Sequence, residues 1–194
     1  MNFPIDDSLL KSLKLEQEFF LKPTEKVALE LLGKEINFYG KKAIITETEA
    51  YNAEDVSSHS YKKIYNPNAP FTMFLAGGYS YVYLIYGIWH CLNFVTEEEG
   101  KGCAVLIRGI FDVQNDLLYH SKPGLLCKYL GISKEYNGLD ICKHPDFYVK
   151  DLGLKLPYEK GRRIGLNKKN GDYQDLKRFY LLNAKESLKK LIKY

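Results

Sequence analysis

Residues 43–51 read as a strand carrying side chains able to do chemistry. Period-2 alternation puts Ile45, Glu47, Glu49 and Tyr51 on one face and Ile44, Thr46, Thr48 and Ala50 on the other. Glu49 and Tyr51 then stand roughly 7 Å apart, a carboxylate beside an aromatic platform. That pairing suits an enzyme that stacks a flat ring and acts on a bond at its edge. Most glutamates on a strand face are simply solvated, and Glu47 shares this face, so spacing does not rank the two carboxylates. A second group is aromatic: Tyr79, Tyr81, Tyr83 and Tyr86 fall within eight residues. Tyrosine favours half-buried strands. The same spacing would also make a stacking surface for nucleobases, worth about 1–3 kcal/mol per base. His59 lies in a polar stretch. Arg108 ends the apolar run Ala104-Val105-Leu106-Ile107, where a cation commonly pairs with a buried carboxylate.

The elements that must position these residues follow from punctuation and period. A helix is expected over 5–21, with Asp6, Asp7 or Ser8 as cap, and Lys22-Pro23 breaks it. Thr24 is expected to cap a helix over 25–32 that Gly33 stops. Strands follow over 35–39 and 43–51 around Gly40, then a long polar loop over 52–70. Further strands are expected over 79–85, 90–95 and 103–110, the last two joined by an acidic tip at 97–100. Tyr86, just before Gly87, should sit at a strand tip. A helix over 122–130 ends at Gly131, a strand covers 178–182, and a lysine-rich tail helix begins near Ala184. Strands in the middle and helices at the ends make this an α+β chain.

The bulk numbers bound the rest. The 194 residues suit one domain, residues 1–194. A chain of this length buries a sizeable core without disulfides or metal. Cys91, Cys103, Cys127 and Cys142 lie far apart with no CxxC spacing, so free thiols in a reducing compartment are expected. A zinc site would have to recruit His90 or His59, and no spacing supports one. No metal and no cofactor are expected. The N-terminus has no long apolar run and no window suits a membrane span, so a cytoplasmic location is expected. Heavy Lys, Ile, Asn and Tyr usage points to an AT-rich, bacterial genome. Net charge is +4, yet residues 151–194 hold twelve lysines and arginines against five acidic residues. A basic C-terminal third hints at a polyanionic partner.

Read in order, the quoted residues form a pattern: Thr46-Glu47-Thr48-Glu49-Ala50-Tyr51, Ser58-His59-Ser60, Tyr81-Val82-Tyr83-Leu84-Ile85-Tyr86-Gly87, Cys91-Leu92-Asn93 and Val105-Leu106-Ile107-Arg108. Weaker matches are Leu31-Leu32-Gly33-Lys34, Gly161-Arg162-Arg163-Ile164-Gly165 and Arg178-Phe179-Tyr180. Together they resemble the alkyladenine (3-methylpurine) DNA glycosylase family over nearly the whole chain. The resemblance implies a curved antiparallel sheet with flanking helices, related to the C-terminal domain of formyltransferases. It implies that Glu49 is the general base, with Arg108 near the water and the DNA backbone. By the same resemblance Tyr51, His59 and Tyr83 hold a flipped base, and Asn93 helps exclude undamaged guanine. Tyr86 would fill the vacated stack, while Lys62, Lys63, Arg162 and Arg163 would contact phosphates. The partner would be double-stranded DNA with damaged purines, bound by a monomer with no obligate protein partner and no membrane. No lysine stands out as a Schiff-base nucleophile, so a monofunctional enzyme is expected. One departure is the loop over 61–70, which offers Lys62 and Lys63 where family members often show arginine. The rival reading is a non-catalytic nucleic-acid-binding module on the same fold. A zinc deaminase is disfavoured, because His-x-Glu and Pro-Cys-x-x-Cys elements are missing.

Overall fold

Small apolar and β-branched residues from Ala43 to Ala50 favour an extended chain that buries both faces. In the computed structural model, which describes residues 13–61, 71–166 and 176–191, this segment is the central strand. Strand β1 (Glu35–Phe38) turns through Tyr39 and Gly40 into β2 (Lys41–Tyr51). Then come β3 (Ser80–Ile85), β4 (Trp89–Thr96), β5 (Cys103–Asp112) and β6 (Leu117–Tyr119). Strands β7 (Phe147–Lys150), β8 (Tyr158–Gly161) and β9 (Arg178–Leu181) complete the set. All the ladders are antiparallel, and the main path runs β3-β4-β5-β2-β1-β7. The helices are α1 (Gln17–Phe20), α2 (Thr24–Glu30), α3 (Pro123–Leu130) and α4 (Ala184–Leu191), with short 3-10 turns at Phe71–Phe74 and Lys134–Tyr136. The chain is thus α+β, a curled antiparallel sheet with a few helices. No described helix is long and apolar enough to cross a membrane.

The pair β2–β5 is the spine, and each member changes its outer neighbour halfway. β2 pairs with β1 over 41–44 and with β9 over 47–49, while β5 pairs with β4 over 103–106 and with β6 over 110–112. At the changeover the β2–β5 register slips: Ile45 opposes Ile110, Glu47 opposes Gly109, and Thr48 opposes Ile107. Such bulges break alternation and re-aim side chains. Ile45 therefore does not stay with Glu47 and Glu49 as strict alternation expects. It joins the apolar core with Ile44, Ile107, Ile110, Phe20, Phe94 and Phe179.

Helix α2 packs on β2, where the buried Thr48 hydroxyl donates to the Ala28 carbonyl at 2.8 Å. Thr24 does not cap this helix with its own side chain. It is the first helical residue, and its backbone N–H and hydroxyl both donate to Glu97 Oε1, so a carboxylate from the end of β4 serves the helix terminus. The expected helix over 5–21 shrinks to α1 within the described residues, because Lys14 bridges to Lys150 and Leu15 N–H donates to the Val149 carbonyl. Its proposed caps, Asp6, Asp7 and Ser8, lie outside the described residues. Strands β6, β7 and β8 are short pieces that no sequence pattern announces.

Gly109 is where the slip is tightest. A Cβ there would come within 2.9 Å of both Glu47 Cβ and Thr46 Oγ1 and 3.0 Å of the Tyr119 carbonyl oxygen. Neither backbone nor bulged strand yields cheaply, so Gly109→Ala should lower stability by about 1–3 kcal/mol. Thermal denaturation checks this, with a melting temperature several degrees below wild type expected; an unchanged one would show that the bulge relaxes freely.

Candidate active site

Below the bulge, regular alternation resumes and sorts side chains onto one face of the sheet. β2 contributes Tyr51, β5 contributes Ala104, Leu106 and Arg108, β4 contributes Cys91 and Asn93, and β3 contributes Tyr81, Tyr83 and Ile85. With His59 and the segment at Ile164 they enclose a cavity of about 450 Å³. Its far end is formed by Trp89 and by Lys122 and Pro123 at the start of α3. Trp89 lies so close to α3 that a Cβ on Gly124 would meet its Cβ, Cδ2 and Cε3 atoms at 2.9 Å.

Glu49 is fully buried just behind this wall, held by three residues that are part of it. Its Oε2 accepts from the Tyr51 hydroxyl at 2.9 Å and from Arg108 Nη1 at 3.2 Å, and its Oε1 accepts from the Ile164 N–H at 2.8 Å. Burial pushes its pKa up; Arg108, the Ile164 N–H and the Tyr51 hydroxyl pull it down, and the neighbouring Glu47 charge pushes it up again. The net direction is above the ordinary carboxylate value. Burial and Glu49 together keep the Tyr51 phenol protonated.

Glu47 is equally buried and, like Glu49, does not itself line the cavity. Ser121 donates to it from its N–H at 2.7 Å and from its hydroxyl at 2.9 Å and 3.0 Å, and Arg178 Nε donates at 2.6 Å. His120 Nδ1 lies 3.2 Å away and Arg108 Nε 3.5 Å away. The two glutamates that spacing left equivalent are therefore distinguished by their surroundings: Glu49 is held by three residues of the cavity wall, and Glu47 by a shell of basic and hydroxyl groups.

The aromatic wall is braced by contacts among its own residues. His59 Nδ1 and the Tyr81 hydroxyl are 2.7 Å apart, and the His59 ring meets Tyr83 edge-on with centroids 4.5 Å apart. Asn93 Nδ2 donates to the Tyr81 carbonyl at 3.0 Å, which fixes the amide at the cavity floor. Tyr79, grouped with the other tyrosines by spacing, packs instead in a small cluster with Met73, Tyr81 and Val95. Tyr86 stands at the tip of the β3–β4 hairpin, 84% exposed and with φ of 53°. Few side chains adopt that left-handed conformation, and here it turns the ring outward beside the cavity mouth, next to exposed Ile88.

The expected phosphate contacts fare differently. Arg163 is buried, only 3% exposed. Its guanidinium sits 4.7 Å from the Tyr51 ring centroid, and its Nη1 donates to the Asp55 carboxylate and, at 3.2 Å, to the Ala50 carbonyl. It therefore braces Tyr51 and does not face outward to a phosphate. Its neighbour Arg162 is exposed. Lys62 and Lys63 lie outside the described residues. Sequence reasoning passed over Trp89 and Lys122 in the cavity wall, and over His120 and Ser121 beside Glu47. Trp89, as the single tryptophan of the chain, was the one carrying a visible signal.

Comparison with known proteins places the whole described site within one family match. Residues 18–185 match the sequence model of the methylpurine-DNA glycosylase family. A Rickettsia felis protein named "Putative 3-methyladenine DNA glycosylase" is 47% identical over 159 residues, covering 81% of this chain and 89% of that protein. A protein of the same name from Rickettsia rickettsii (strain Sheila Smith) is 46% identical, covering 81% and 86%. A third, from Rickettsia typhi, is 39% identical over 200 residues, covering 81% and 89%. Motifs, sheet and family match converge on repair of alkylated bases in DNA, and the chain belongs to the methylpurine-DNA glycosylase family.

Proposed function

We propose that this chain is a monofunctional 3-methyladenine DNA glycosylase that hydrolyses the N-glycosidic bond of a purine flipped out of duplex DNA, with Glu49 as general base. The observation that carries this reading is the buried Glu49 carboxylate bonded to Tyr51, Arg108 and the Ile164 N–H, three residues of an aromatic cavity. Reaching C1′ requires taking the nucleotide out of the stack, and damaged pairs cost least to open. Tyr51, His59 and Tyr83 supply flat surfaces for the base, and a cationic methylated ring gains further from aromatic faces. Asn93 presses on the floor of the cavity, where an extra exocyclic amine would be excluded. Tyr86 enters the duplex in place of the extruded base, and exposed Arg162, with Lys62 and Lys63, meets phosphates.

A purine methylated at N3 or N7 already carries positive charge, so it leaves without an acid. One carboxylate then suffices where ordinary glycosidases use two. A carboxylate offers about four acceptor positions. Three are filled on Glu49, and the fourth, on Oε1, is left to take the water. The water oxygen bonds C1′ and its proton passes to Glu49. The C1′–N9 bond breaks with its electron pair going to the purine, which departs neutral. Glu49 also stabilises positive charge developing on the sugar. The enzyme acts as a one-domain monomer in the cytoplasm and needs no cofactor.

Glu49→Gln keeps the shape of the site and removes the base. Release of 3-methyladenine from alkylated duplex should fall by about 10²–10⁴-fold, while duplex binding, read from Trp89 fluorescence, persists. Wild-type rates in Glu49→Gln would show that Glu49 is not the base, whereas failure of the wild-type protein to release any base would support the non-catalytic module.

The pH profile follows from the raised Glu49 pKa. The base works only when ionised, so activity is present above that pKa and is lost as pH falls through it, about tenfold per unit. The midpoint of this acid limb should lie above the ordinary carboxylate value. Tyr51→Phe removes a hydrogen bond that stabilises the ionised form, so single-turnover profiles should show its limb at still higher pH. A limb at or below the ordinary value would contradict the assignment.

A further inference from the structure

Glu47 is a fully buried carboxylate that the proposed reaction does not touch. A charge in that position is costly unless well paired, and its partners come from every element around it. Arg178 approaches from β9, His120 and Ser121 from the turn before α3, and Arg108 from β5. Glu49 stands two residues along on β2 itself. Glu49 in turn faces Arg108, Tyr51, the Ile164 N–H and Tyr83. The two carboxylates therefore meet at one cation. Arg108 Nη1 is 3.2 Å from Glu49 Oε2, and its Nε is 3.5 Å from Glu47 Oε1 without completing a hydrogen bond there.

We propose that Glu47 is a positioning residue that sets the proton affinity of Glu49, by drawing on the Arg108 guanidinium they share and by placing a like charge two positions away on the same strand. Whatever share of that cation answers Glu47 is withheld from Glu49. The sign is fixed by Coulomb's law: a nearby negative charge favours the protonated form of Glu49, in keeping with Glu47 being among the influences that push Glu49 up. A base serves best when its pKa approaches the working pH, and Glu47 moves Glu49 in that direction. Arg178, His120 and Ser121 hold the tuning charge in place without touching the cavity.

This inference rests on Glu49 acting as the base. The test is the pH dependence of single-turnover base release from alkylated duplex, with melting temperature measured for each variant. Glu47→Gln keeps side-chain size and removes the charge. Its acid limb should move to lower pH by about one unit, with a plateau reduced several-fold as the base weakens. Glu47→Asp keeps the charge and should return the limb to the wild-type position. A residue with a merely structural role would cost rate and melting temperature in both variants and leave the limb in place; that result overturns the proposal. If Glu47→Gln does not fold, the half-buried Arg178 decides. Arg178→Gln leaves Glu47 leaning harder on Arg108, so the limb should move to higher pH, and an unmoved limb overturns the proposal. Inactive Glu49→Gln with an unmoved Glu47→Gln limb refutes the role of Glu47 alone, whereas active Glu49→Gln refutes both assignments.

Discussion

One guanidinium set between two buried carboxylates is the contact around which this molecule is arranged. Arg108 faces Glu47 and Glu49 with almost no solvent to help. Ions are buried only where partners and hydrogen bonds replace their hydration, and a regular sheet interior has few of either, because its backbone groups are committed to ladders. The protein meets the demand by interrupting the sheet at that point. β1 and β9 divide one edge of β2, β4 and β6 divide one edge of β5, and the register slips between them. The interruption admits Arg178 and Ser121 to Glu47 and the Ile164 N–H to Glu49, and Gly109 gives the strands room to pass.

The same interruption separates two tasks. Above it, Ile44, Ile45, Ile110 and Phe111 pack into the main core and hold the sheet together. Below it, alternating positions of β2 to β5 open onto the cavity. The cavity can be lined with tyrosines because they are braced, by Arg163 and Asp55 behind Tyr51 and, within the wall itself, by Asn93 against the Tyr81 backbone and His59 against Tyr81 and Tyr83. A stacking site made of flat rings gains from such bracing, since a ring already held loses little freedom when a base arrives.

What could be read in the sequence was what repeats locally. The face shared by Glu49 and Tyr51, the two-residue rhythm of Tyr81 and Tyr83, the tip at Tyr86 and the stop of α3 at Gly131 all follow from short-range period and punctuation. Charge pairing did not follow, because it is made across the fold. Nothing near Glu47 indicates that Arg178 and Ser121 will arrive beside it. Adjacent Arg162 and Arg163 look alike in sequence, yet one is exposed and the other is buried against Asp55. The bulge was hidden by a clean-looking alternation over 43–51, although Gly109 inside an apolar strand was the available clue. Edge strands as short as β6 to β8 carry too few residues to show a period.

The sequence separations inside the charge cluster bear on when the site comes into being. Arg108 and Glu49 are 59 residues apart, Ser121 and Glu47 are 74, Ile164 and Glu49 are 115, and Arg178 and Glu47 are 131. Contacts this distant close large loops and are reached late in folding. Hairpins such as β1–β2 and β3–β4 have no such delay. A partly folded chain could thus hold its tyrosine hairpin while its carboxylates are still hydrated and unpaired. Assembly of the site is a readout of completed folding, and a chain interrupted before β9 docks would carry the residues of the site without its electrostatics.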